Sequence, residues 1–243
     1  MNLKKIIEKK IYSLQLDKLN LKKKCVINTI NPHSYCISKN DALFSKALLE
    51  SDILLPDGSG IVMATKLLTG RKIKKIAGFD IHQFLLKRAN NMSQKVFYMG
   101  GSQNTLELIR VKIKNDYPNI KSSFYSPPFK SEFSEIDSAK MCEKINAFKP
   151  DILFVGMTAP KQEKWTFEHK DELNVQNICC VGAVFDFYAG NIKRSSPFWI
   201  KLGLEWFPRF IKEPKRLFKR NFVSAPKFIL EVLSFKLFGK GIL

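Results

Sequence analysis

Lys95-Val96-Phe97-Tyr98-Met99 runs into Gly100-Gly101-Ser102 and from there into a longer helical pattern over 103–117. A short apolar run, a glycine pair and a helix, in that order, make a βα unit: the glycines permit a tight turn, and the helix covers the strand it has just left. The same order recurs along the chain. Apolar runs at 25–30, 52–55, 151–155 and 177–181, with a weaker one near 120–125, alternate with helical patterns at about 41–50, 60–68, 80–91, 134–148 and 161–171. Such alternation predicts an α/β fold, a parallel sheet flanked by helices. Pro127-Pro128 marks a loop, and no internal repeat is evident.

A chain of 243 residues with 45% hydrophobic residues can bury one sizeable core. We assign 1–190 to that core, its first 24 residues being a basic segment, and 191–243 to a C-terminal appendage. The formal net charge of +19 is uneven: residues 1–24 carry +6 and residues 191–243 carry +9, which leaves +4 for the 166 between them. A near-neutral core with strongly basic ends points to an anionic surface, lipid headgroups or nucleic acid, as partner. A solubilising charge excess is the plainer alternative. The appendage also holds 10 of the 29 aromatic residues, with Pro208, Pro214 and Pro226 dividing it into short helical pieces. Arg209, Lys212, Arg216 and Lys219 recur on one helical face and Leu202, Trp206, Phe210 and Leu217 on another, so the segment either lies in a membrane interface or packs Trp206 and Phe210 into the core.

The five cysteines form no C-x-x-C pair and, with three histidines, no zinc-site spacing, so they read as reduced thiols of a cytoplasmic protein. The start of the chain lacks a signal-peptide apolar region, and no run is long enough to cross a bilayer. A chain of this kind that meets a membrane lies on it.

Ligands of open α/β sheets bind beyond the carboxyl ends of the strands, which directs attention to the turns there. Asn28-Thr29-Ile30-Asn31-Pro32 offers small polar groups able to bind a sugar or nucleotide, or else an N-cap before the next helix. Leu55-Pro56-Asp57-Gly58 places a carboxylate on a glycine turn. Asp57 is able to take a proton from an attacking hydroxyl, although a lone Asp before a helix is more often a cap. Gly100-Gly101 brings backbone N–H groups and a helix start toward a diphosphate, or is a plain tight turn. Gly156-Met157-Thr158-Ala159-Pro160-Lys161-Gln162-Glu163 packs glycine, proline, an amide, an acid and a cation into one turn. There Gln162 suits substrate hydroxyls and Lys161 a phosphate, or both are solvated. Asp186, an acid in an otherwise apolar run, needs a partner.

Those motifs, together with Ala77-Gly78-Phe79-Asp80, Gly182-Ala183-Val184-Phe185-Asp186, Ala189-Gly190, Leu202-Gly203-Leu204-Glu205-Trp206, Arg209, Glu213-Pro214 and Arg216, occur in the order seen in the WecG/TagA/CpsF glycosyltransferases, family 26. The resemblance covers about residues 25–230. It implies a Rossmann-like fold and a metal-independent, inverting transfer of N-acetylmannosamine or its uronic acid from a UDP-sugar onto a polyprenyl-diphosphate-linked sugar. The setting is teichoic acid or other cell-envelope polysaccharide synthesis, on the inner face of the cell membrane. By resemblance Asp57 is the base, Thr29, Asn31 and Gln162 hold substrates, and the appendage closes the site while docking on membrane. Arg209 and Arg216 match appendage arginines; the third cation falls at Lys219 or Arg220. Gly100, Gly101, Gly156, Lys161, Asp186 and Arg220 complete the expected substrate contacts. No metal or cofactor is expected, and the sequence holds no D-x-D diphosphate-metal motif.

Rival readings explain less. A nucleic-acid-binding module fits the charge but lacks any RRM, KH or zinc signature. A nicotinamide oxidoreductase lacks G-x-G-x-x-G. A catalytically dead membrane adaptor of the same fold, or a transferase of another UDP-hexose, is separated only by activity. The oligomeric state is open, a homo-oligomer included.

Overall fold

The computed structural model describes residues 2–21, 23–192, 199 and 206–241. Six strands, β1 (Cys25–Ile30), β2 (Ile53–Pro56), β3 (Lys95–Gly100), β4 (Lys121–Tyr125), β5 (Ile152–Gly156) and β6 (Asn177–Cys180), form one sheet in the order β2-β1-β6-β5-β3-β4. All neighbouring pairs are parallel, so every carboxyl end lies on one edge. Strands covered on both faces read as continuous apolar runs, and β2, β5 and β6 are buried at every position. The polar β4 takes the outside position next to β3.

Helices α2 (Pro32–Ser38) and α3 (Ala42–Leu49) follow β1, and α4 (Ser59–Thr69) and α5 (Gly78–Asn91) follow β2. Then α6 (Gln103–Asp116), α7 (Glu135–Phe148), α8 (Lys161–His169) and α9 (Val184–Ala189) follow β3, β4, β5 and β6 in turn. One face of the sheet packs Leu85, Ile109 and Phe185 of α5, α6 and α9. The other packs Met141 and Trp165 of α7 and α8. The expected strands and core helices are present, shifted by no more than two residues at an end.

Three differences have physical causes. The basic N-terminal segment contains α1 (Leu3–Lys9), because Leu3, Ile6 and Ile7 share one helical stripe that α4 buries while the lysines face water. A helix, α2, precedes the one expected at 41–50: Asn31 caps it, and Pro32 stands in its first turn, where its missing N–H costs nothing. Residues 184–189, an apolar run around Asp186 in the sequence, form α9, which begins just after the turn that Gly182 makes at φ 61°.

Among the described residues, the C-terminal region contains α10 (Trp206–Lys212), α11 (Pro214–Phe218), a π helix (Lys219–Ser224) and α12 (Ala225–Phe238). Pro226 does not divide it: it occupies the first turn of α12 and starts that helix. Phe228, Val232 and Phe235 of α12 enter the same apolar cluster as α1, α2 and α4, so the end of the expected appendage is built into the body. Buried Glu231 fixes the contact, accepting from Tyr35 Oη at 3.0 Å and pairing with Lys39 Nζ at 3.2 Å. Breaking such a buried pair by removing one partner costs about 3–5 kcal/mol. The other face of α12 leaves Ile229, Leu230, Leu233 and Leu237 exposed. No helix among the described residues is long and apolar enough to cross a membrane.

Candidate active site

The turns leaving β1 and β2 lie side by side at the carboxyl edge. Ile30 faces Pro56 across the ladder, and the Asp57 N–H donates to Ile30 O at 2.9 Å. A Cβ placed on Gly58 would sit 3.8 Å from both Asn31 Cβ and Pro32 Cδ, and one on Gly60 only 2.6 Å from Pro32 Cγ. Glycine at 60 thus lets the start of α4 approach α2. Asn31 caps α2, its Oδ1 accepting from the N–H groups of His33 and Ser34 at 3.0 Å each. That capping role leaves the amide nitrogen as the part of Asn31 available to a ligand. Asp57 is partly buried, and the next residue, Gly58, at φ 94°, is the N-cap of α4. Thr29 is partly buried one residue inside the edge, opposite Leu55.

The turns after β3, β5 and β6 form a second, tighter group. Gly100 (φ 116°) pairs with Gly156, and a Cβ on Gly100 would lie 2.3 Å from Gly156 O. A Cβ on Gly156 would strike the Phe185 ring at 2.5 Å, and one on Gly101 would meet it at 3.3 Å. These glycines answer first to backbone approach and to the seating of Phe185. Gln162 is 3% exposed and its carboxamide spans the turns: Oε1 accepts from Met157 N at 3.1 Å and Gly182 N at 3.0 Å, while Nε2 donates to Glu163 Oε1 at 2.8 Å. Asp186 finds its partners in hydroxyl and amide donors, Thr105 Oγ1 at 3.2 Å and Asn191 Nδ2 at 3.5 Å, which tie α9 to the first turn of α6. Lys161 turns to the loop before α7, donating to Lys130 O at 2.7 Å with Nζ 4.5 Å from the Phe133 ring centroid.

Of the C-terminal cations, Arg209 and Arg216 lie on α10 and α11, and their side chains fall outside the described residues. Arg220, partly buried, and Lys219, exposed, are neighbours on the π helix, close enough for their charges to act on His33. His33 Nδ1 lies 2.8 Å from Ser224 Oγ. Burial holds its pKa below the ordinary histidine value, and the charges of Arg220 and Lys219 push in the same direction. The expected substrate contacts therefore separate into Thr29, Asn31 and Asp57 at one end of the edge, the glycine group with Gln162 and Asp186 at the other, and cations on the C-terminal helices.

Two residues carry more than their sequence context suggested. Glu163 is fully buried, burial pushes its carboxyl up to about 7, and Oε2 has no hydrogen-bond partner among the described residues. Its place beside Gln162 in the motif is legible in the sequence; its burial is not. His33 is the other, and its place two residues after the capping Asn31 is the signal that points to it. The grouping with metal-ligand character among the described residues, Cys142, His169 and Glu172, has donor atoms within 4.8 Å of one another. It lies where α8 ends, at the opposite edge of the sheet from Asp57.

The profile of the Glycosyl transferase WecG/TagA/CpsF family matches residues 2–241. Among curated proteins, the chain is 33% identical over 208 residues to an N-acetylglucosaminyldiphosphoundecaprenol N-acetyl-beta-D-mannosaminyltransferase of Bacillus subtilis (strain 168), covering 86% of this chain and 78% of that one. It is 30% identical over 220 residues to the protein of the same name in Bacillus spizizenii, covering 90% and 83%. With one from Staphylococcus aureus (strain MW2) the identity is 27% over 210 residues, covering 86% and 80%.

Proposed function

The chain is a member of the WecG/TagA/CpsF family of glycosyltransferases, and from that premise we propose that it moves N-acetylmannosamine or its uronic acid from a UDP-sugar onto N-acetylglucosamine carried on a polyprenyl diphosphate. The observation that carries this reading is the meeting of the turns that hold Asp57 and Asn31: the Asp57 N–H donates to Ile30 O at 2.9 Å, and a Cβ on Gly58 would lie 3.8 Å from Asn31 Cβ. The Asp57 carboxylate takes the proton of the acceptor hydroxyl as that oxygen attacks the anomeric carbon. The bond from that carbon to the diphosphate oxygen breaks on the opposite face, and UDP leaves with inversion. Asn31 Nδ2 and Thr29 Oγ1 orient sugar hydroxyls.

Arg209, Arg216 and Arg220 neutralise the leaving diphosphate, so the reaction proceeds without a metal. Gln162 and Asp186 serve by holding the turns in register, Gln162 through the N–H groups of Met157 and Gly182. The exposed apolar side chains of the C-terminal helices, Phe218, Phe222, Ile229, Leu230 and Leu233 among them, lie among cations and rest on the anionic inner face of the membrane.

The test is acceptor-dependent UDP release in EDTA across a panel of UDP-sugars, with farnesyl-diphospho-N-acetylglucosamine as acceptor. Release with one donor, lost in Asp57→Asn, is the expected result. Turnover that appears only when a divalent cation is added would overturn the metal-free step, and failure to bind UDP would overturn the whole reading.

A further inference from the structure

We infer that the groove between α2 and the helical stretch from Lys219 to Lys227 receives the diphosphate of a lipid-linked acceptor, with Lys219 and Lys227 as its phosphate contacts. The inference rests on the reading of the chain as a transferase acting on a lipid diphosphate, and it assigns the acceptor a place apart from the leaving UDP.

The groove encloses about 460 Å³ and is lined by His33, Cys36 and Lys39 from α2 and by Lys219, Val223 and Lys227 from the facing helices. One end is at His33, two residues along the chain from Asn31, whose turn meets the one that carries Asp57. From there it follows α2 for about 9 Å, the rise of six helical residues. That length suits a diphosphate whose sugar has reached Asp57.

The charges in the groove are not equivalent. Lys39 is paired with Glu231 at 3.2 Å, and Asp41 with Lys164 at 3.2 Å. Lys219 and Lys227 line the same space, and neither makes an ion pair among the described residues. Two lysines without a carboxylate match a dianionic diphosphate in sign and amount.

The π helix is what sets both on one wall. In an α-helix, residues eight apart point about 80° away from each other around the axis. Each π turn holds an extra residue and brings them back toward a common face. Ala225 N donates to Arg220 O, five residues back, and Pro226 next to it has no N–H with which to restore the α pattern. Val223 of the groove is itself exposed, and Ile229, Leu230 and Leu233 of α12, the helix that carries Lys227, are exposed as well, an apolar surface suited to the lipid chain that follows the diphosphate.

The experiment measures binding of farnesyl-diphospho-N-acetylglucosamine by calorimetry without donor, alongside UDP binding and the KM of each substrate. It compares wild type, Lys219→Glu, Lys227→Glu, the double variant, and Lys140→Glu as a remote, equally charged control. Each groove variant is expected to weaken acceptor binding roughly tenfold, and the double variant about a hundredfold, with UDP affinity and donor KM changed less than about twofold. The control keeps wild-type values. Should charge reversal lower the melting temperature, Lys219→Gln and Lys227→Gln give the same direction with a smaller loss. Acceptor binding unaffected by the groove variants, no acceptor binding by wild type, or an equal loss of UDP binding overturns the assignment. So does inorganic pyrophosphate displacing the acceptor at equal affinity, which makes the groove a general anion site. If wild type binds the acceptor through these lysines yet turns over no UDP-sugar, the donor reading fails and the groove stands.

Discussion

At the β1/β2 end of the carboxyl edge the turns carry short polar side chains, and Asp57 stands just before Gly58, the N-cap of α4. At the β3/β5/β6 end the turns are glycines packed against each other and against Phe185, and the polar side chains are spent on one another: Gln162 on two backbone N–H groups and Glu163, Asp186 on Thr105 and Asn191. Both ends looked like ligand sites in the sequence. In the first, Asn31 spends its Oδ1 on capping α2 and keeps its amide nitrogen; the second uses its polar side chains to hold the edge together, which a site requires of its supporting groups.

The sharpest break in that contrast comes from Asp57→Asn. It is expected to lower kcat by roughly 10²–10⁴-fold while the melting temperature stays within a few degrees, read by UDP release and thermal unfolding. A large loss of stability instead would place Asp57 with the braces.

Glu163→Gln tests the opposite end through pH. The folded carboxyl is raised from 4.5 to about 7 by burial, so the folded state holds the proton more tightly than the unfolded chain. Its contribution is fully present below about pH 4.5 and is lost as pH rises through 7. The stability of wild type relative to Glu163→Gln is expected to fall by as much as about 3 kcal/mol across that window, measured by urea unfolding at several pH values. A flat difference would mean that the acid has a partner in solution.

Gly156→Ala drives a methyl group into Phe185 and is expected to cost about 1–3 kcal/mol. Activity at a permissive temperature should fall less than in Asp57→Asn. The smallest effect is expected from Asn31→Ser, which keeps a capping oxygen for α2 and removes the amide nitrogen. Stability should change by less than about 0.5 kcal/mol, with a several-fold loss in kcat/KM for the sugar donor. A loss of stability without a kinetic effect would reduce Asn31 to its cap.

Strand-forming runs and the glycine turns between them were legible because burial on both faces requires continuous apolar residues, and a tight turn requires glycine, wherever either occurs. The C-terminal region was legible only in part. Its charge and aromatic content are local properties, but the sharing of α12 between a buried face and an exposed one depends on where α1, α2 and α4 lie. The sequence therefore determined the α/β architecture, the family to which the chain belongs, and the presence of an acid after β2 and of cations near the C-terminus. Only the tertiary structure decided which polar motif residues keep hydrogen bonds to offer and which are consumed, because a donor or acceptor is satisfied by whatever comes within about 3 Å of it. Gln162, Asp186 and His33 each have one such partner 20, 81 and 191 residues away in the chain, respectively.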